Sequence, residues 1–189
     1  DDSHAVDKFR KLTIVAQLIR SWSSMRVAEA ASWMKKWIVD EAHGGLAERS
    51  VDTAVYPITC DVYDADLDGD DVAGVALDYK DCFDLVGFEL TVGLLVRMGL
   101  PARFGALLLF LLRNLVHCFV CGGAVSKQLY ALIGILQGDA WSVLLLNGPM
   151  SVWVRVVKYT VGRAFPAVQS RIAVYLDDRT VLMKLFQCG

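Results

Sequence analysis

The pattern of apolar and polar positions changes period several times along the chain, and each change marks a predicted element. Residues 9–15, Phe-Arg-Lys-Leu-Thr-Ile-Val, read as a short strand. From Ala16 to about Ala42, apolar residues recur near helical spacing at Leu18, Trp22, Met25, Val27, Ala31, Met34 and Ile38, and Gly44-Gly45 supplies a stop. A second helix is expected from Ser50, a good N-cap, to Tyr63, disturbed at Pro57. The acidic run from Asp61 to Asp71 is expected to be a solvated loop. Val72–Leu77 is apolar without alternation, the pattern of a central strand covered on one face by helices, and Asp78 closes it. Phe88–Met98 and Ala102–Leu115 read as helices parted by Gly99 and Pro101. Within His117–Val125 a hairpin should turn at Gly122-Gly123. After Gln137-Gly138 a helix opens near Asp139. Gly148-Pro149 is expected to interrupt that helix, because an interior proline costs about 3 kcal/mol, and Val152–Val161 resumes it. Pro166–Arg171 leads into residues 172–183, which read as two strands around a tight turn carrying Asp177 and Asp178.

These elements predict an α+β fold, with an antiparallel sheet formed by Val72–Asp78 and the two arms of the 172–183 hairpin, backed by helices. A chain of 189 residues, 55% hydrophobic, is one domain's worth and can bury roughly 70% of its unfolded surface. The most apolar region, Val92–Val120, is cut by Arg97, Pro101, Arg103 and Arg113, so it is not expected to span a membrane. Five cysteines, an odd number, and a start without a signal peptide fit a reduced intracellular protein, nuclear or cytoplasmic and not secreted. The formal net charge is −2, whereas holding a polyanion normally takes a surplus of Lys and Arg.

Candidate chemistry concentrates in acids. Adjacent Asp177 and Asp178 repel each other, and a fold that keeps both at a sheet edge usually neutralises them with a cation or basic partners. Asp78, at the end of an apolar strand, is poorly explained by packing and well explained by a cation. Asp64, Asp66, Asp68 and Gly69 match the first half of a calcium loop, but the twelfth position is Val75 where a bidentate Glu is needed. His117, Cys118 and Cys121 lack the fourth ligand of a closed zinc site. Trp22, Trp33 and Trp37 read as core aromatics.

Three stretches occur in a telling order: Asp78 with Phe83 five positions on; Gln137-Gly138 followed by Ser142 and Asn147; and Tyr175-Leu176-Asp177-Asp178. They resemble the core palm motifs of reverse transcriptases, D-x-x-x-x-F-D, Q-G-x-x-x-S-x-x-x-x-N and Y-x-D-D, most closely the non-LTR retrotransposon type. The usual prolines around the Ser are replaced by Ala140-Trp141 and Val143. The resemblance implies partial fingers over residues 1–71, a palm over 72–189, and no thumb. It implies RNA-templated DNA synthesis with RNA template, DNA primer and deoxynucleoside triphosphates as partners, and two Mg²⁺ (or Mn²⁺) ions about 3.5–4 Å apart. Asp78, Asp177 and Asp178 would hold the metals, and Arg10, Phe83, Gln137 and Gly138 would contact the nucleotide, with Phe83 excluding a 2′-hydroxyl. Viral RNA-dependent RNA polymerases fit less well. They place an Asp where Phe83 stands and use Ser-Gly-x-x-x-Thr for Gln-Gly-x-x-x-Ser. The alternative in another functional class is an inactive polymerase-derived fragment, nucleic-acid-binding or decayed, which the acidic balance and Gly148-Pro149 favour.

Overall fold

Residues 14–185 are described in a computed structural model. Arg10 and most of the strand expected over 9–15 lie outside the described residues. The elements run α1 (Gln17–Met34), α2 (Val51–Asp68), β1 (Asp71–Leu77), α3 (Cys82–Leu85), α4 (Phe88–Arg97) and α5 (Ala102–Asn114). There follow β2 (Val116–His117), β3 (Val120–Cys121), β4 (Ala124–Val125), β5 (Leu129–Tyr130), α6 (Ala140–Ala164), β6 (Gln169–Tyr175) and β7 (Asp178–Leu185). The fold is α+β with small antiparallel sheets. The main sheet has order β1-β7-β6, so the last hairpin supplies its centre and one edge. The hairpin expected at Gly122-Gly123 forms between β3 and β4, and β2 pairs with β5 outside it.

The sheet is docked from two sides. On one, Ile172, Val174 and Val181 face a core built around Val92 and Leu95 of α4 and Leu144, Leu145, Leu146 and Val154 of α6. On the other lies α2, joined through ion pairs of Arg171 with Asp61 and of Lys184 with Asp68 and Asp70. The Arg171 guanidinium is held above its ordinary pKa chiefly by its bond to Asp61. Aromatic contacts tie the helices together: Trp22 of α1 stacks on Phe104 of α5, with ring centroids 5.8 Å apart, and Phe104 meets Trp141 of α6 at 5.0 Å. Trp37 is buried, and Trp22 and Trp33 pack against the core.

Four expectations are corrected. The first helix ends at Met34, and residues through Ala42 leave the helical path; His43 N donates to Val174 O and Val174 N to Glu41 O, so this segment pairs with the β6 edge. The acidic run is helical as far as Asp68, because Ser50 and Thr53 form a reciprocal cap that starts α2 firmly and Gly69, at φ 71°, ends it. Of the run's acids, Asp61, Asp68 and Asp70 serve as ion-pair partners for the sheet. Gly148-Pro149 does not interrupt α6, which runs unbroken through 25 residues. There a Cβ on Gly148 would stand 3.1 Å from Leu95 Cδ2, so the glycine lets α4 approach closely. Finally, β1 is an exposed edge strand, with β7 in the centre. Its lack of alternation reflects small residues on both faces, Ala73, Gly74 and Ala76 among them.

Helix α6 also has the length and apolarity to cross a bilayer, and 56% of its most apolar window is buried inside the fold, as it would be in a core helix.

Candidate functional site

The acidic hairpin turns tightly: Tyr175 pairs with Asp178, leaving Leu176 and Asp177 as the loop. Leu176 adopts the left-handed conformation, φ 57°, which costs a branched residue on the order of 1 kcal/mol. Something must hold it there, and Gly44 does. A Cβ on Gly44 would lie 2.6 Å from both the backbone N and Cγ of Leu176. The Gly44 carbonyl accepts from Asn147 Nδ2 of α6 at 3.2 Å, and Gly45 abuts Val143. The glycine pair therefore wedges the turn against the first half of α6.

Register brings the third acid alongside. In β1, Leu77 pairs with Arg179 of β7, so Asp78 leaves the end of the strand beside the turn that carries Asp177 and Asp178. Like charges brought near one another disfavour the ionised form. The Asp178 carboxyl is pushed above the usual range, first by burial and then by the charges of Asp177 and Asp78. The buried Cys82 thiol, opening α3, reports the same convergence: burial raises its pKa, Arg179 opposes, and Asp177 and Asp78 raise it further. Asp78, Asp177 and Asp178 thus share one electrostatic neighbourhood.

Three carboxylates at a sheet end are the oxygen donors a hard divalent ion prefers, and their mutual repulsion is what such an ion relieves. They match in kind, in an open arrangement: among the described residues no three His, Cys, Asp or Glu side chains are drawn close enough to enclose a metal. Nor do the alternative acidic or thiol sites gather: Asp64, Asp66 and Asp68 lie along α2, and Cys118 and Cys121 are exposed.

The other expected residues lie on α3 and on the loop that precedes α6. Phe83 is half-buried in α3, packed against the core, and its carbonyl accepts from Ile135 N at 2.7 Å. Gly134 N donates to Val86 O nearby, and a Cβ on Gly134 would clash with Asp84 O at 2.7 Å, so the loop leading to Gln137 is pinned to α3. Gln137 is half-buried; Gly138 is exposed at φ 97°, a conformation natural to glycine. Asp139 then caps α6, its Oδ2 accepting from Trp141 N at 3.1 Å, while Oδ1 is buried without a partner. A cavity of about 390 Å³ of mixed lining, with Glu41, His43, Lys158 and Arg171 beside Ala54, Pro57 and Ile172, lies along β6, and none of the three aspartates borders it.

Sequence reasoning missed two parts of this arrangement. Gly44-Gly45 reads only as a helix stop, because its packing against Leu176 joins residues far apart in sequence. Arg179 passes unnoticed beside the aspartates. It is 4% exposed, its Nε 2.9 Å from Met150 Sδ, and the strand period that puts Val181 in the core puts Arg179 on the same face. No family model matches the chain, and no curated protein does.

Proposed function

We propose that the chain is a reverse transcriptase palm domain performing RNA-templated DNA synthesis. What carries the reading is the meeting, at one end of an antiparallel sheet, of three aspartates that are 99 or more residues apart or adjacent in sequence, Asp78 against Asp177-Asp178. The Gln137-Gly138 turn opens α6, whose first half the glycine wedge ties to the acidic hairpin, and α3 with Phe83 is hydrogen-bonded to the loop before it. Asp78 and Asp177 would hold two Mg²⁺ (or Mn²⁺) ions, with Asp178 supporting. When bound, such ions polarise the primer 3′-hydroxyl and offset charge on the triphosphate. The chain's own part is positioning. Gln137 and the Gly138 backbone contact nucleotide and template, and Phe83 occupies the space a 2′-hydroxyl needs.

The test is divalent-dependent extension of a DNA primer on an RNA template with deoxynucleotides. Asp177→Asn is expected to abolish extension while leaving circular dichroism and the melting temperature near those of the parent; extension at the parent's rate would sink the assignment. A second reading, a palm-derived nucleic-acid-binding fragment without catalysis, is favoured by the open spacing of the carboxylates and the net charge of −2. Template binding without extension under every divalent condition would select it.

A further inference from the structure

Arg179 is a buried guanidinium that none of the described ion pairs uses. A buried charge is expensive unless it is paired or otherwise compensated. Its compensation is aromatic and local: Cζ lies 3.6 Å from the ring centroid of Tyr79 and 5.4 Å from that of Trp153, and Nε points to Met150 Sδ. The chain positions of these groups matter. Tyr79 directly follows Asp78, and Arg179 directly follows Asp178. The stack is thus a bolt between the end of β1 and the strand after the acidic turn, with α6 behind it. Arg179 faces the core and Asp178 the opposite side of the same strand, so the cation sits beneath the carboxylates without competing for their oxygens.

We infer that Arg179 is the positioning residue of the three aspartates: it fastens Tyr79, and so the Asp78 end of β1, onto the hairpin of Asp177 and Asp178, while its charge offsets theirs in the absence of a bound cation. The inference deepens the polymerase reading and rests on it only for the aspartates' purpose.

The experiment is a double-mutant cycle on the full chain, read by melting temperature with and without Mn²⁺. Arg179→Met keeps length and apolar contact and removes the charge; Arg179→Lys keeps charge and loses the flat stack. In metal-free buffer Arg179→Met should melt lower than the parent. Asp178→Asn should raise the melting temperature of Arg179→Met by more than it raises that of the parent. Mn²⁺ should likewise raise Arg179→Met more than the parent, and Arg179→Lys should show a smaller coupling to Asp178→Asn than Arg179→Met does. If Arg179→Met does not fold, Asp178→Asn or Mn²⁺ should restore folding. Strictly additive effects of the two substitutions, or an unfolded Arg179→Met that neither treatment rescues, would overturn the inference. An absence of any Mn²⁺ effect on the parent and every variant would instead remove the metal reading of the three aspartates, and the Asp178→Asn arm would still decide the role of Arg179.

Discussion

At the scale of single residues, side chains near the site answer to two demands at once, and Phe83 shows the conflict most clearly. Its ring packs on the core while remaining half-buried, and the proposed function asks the same ring to exclude a 2′-hydroxyl. Phe83→Val should lose roughly 1 kcal/mol of stability and gain ribonucleotide over deoxynucleotide incorporation by on the order of tenfold, each tenfold being about 1.4 kcal/mol. Parallel loss of both activities at an unchanged sugar ratio would leave Phe83 a packing residue alone. His43 carries a different load. Thr53 Oγ1 donates to Ser50 O, so towards His43 it accepts, and Nδ1 of the imidazole bears the proton in that 2.9 Å bond. Burial lowers the His43 pKa, Arg49 lowers it further, and Glu41 opposes. A folded value below the unfolded one means that the unfolded chain binds more protons. His43 therefore contributes stability that is present above the ordinary value of 6.5 and lost as pH falls through the folded value. Urea midpoints measured from pH 7.5 down to 5 should fall less steeply for His43→Gln than for the parent; equal slopes would refute it.

At the scale of elements, local rules predicted starts better than extents. Ser50 marks the N-terminus of α2 correctly, and Asp139 that of α6. Extents failed where packing overrode composition. The acids of α2 are tolerated in helix because Asp61 and Asp68 reach cations on the sheet, and the proline of α6 is tolerated because the helix is clamped by its neighbours along the stretch Leu144–Met150, nearly all buried. The linker after α1 illustrates the same point. Residues 41–43 gain strand-like hydrogen bonds to Val174, and Gly44-Gly45 follows as the wedge beneath Leu176. Gly44→Ala would press a methyl group into the hairpin backbone, an overpacking that costs about 1–3 kcal/mol. The expected result is a lowered melting temperature together with loss of primer extension, since Asp177 sits on the displaced turn. Unaltered extension in this variant would mean that the turn is not held by the wedge.

At the scale of the whole molecule, the sheet and helices gather around a core that α4 and α6 dominate, with the loop before Gln137 hydrogen-bonded to α3. The sequence by itself determined a good deal of this: the α+β class, the positions of β1 and of the acidic hairpin, and the helices α4 and α5. Those features are local, because a strand, a cap or a two-residue turn is specified by neighbours a few positions away. Only the tertiary structure decided that β1 is an edge, that the acidic run is a helix bearing ion pairs, that α6 survives its proline, and that Arg179 lies buried among Tyr79, Met150 and Trp153. Each of these depends on partners distant in sequence, whose burial and charge outweigh local propensities of about a kcal/mol per residue, and a linear pattern of apolar and polar positions does not encode which distant partner arrives.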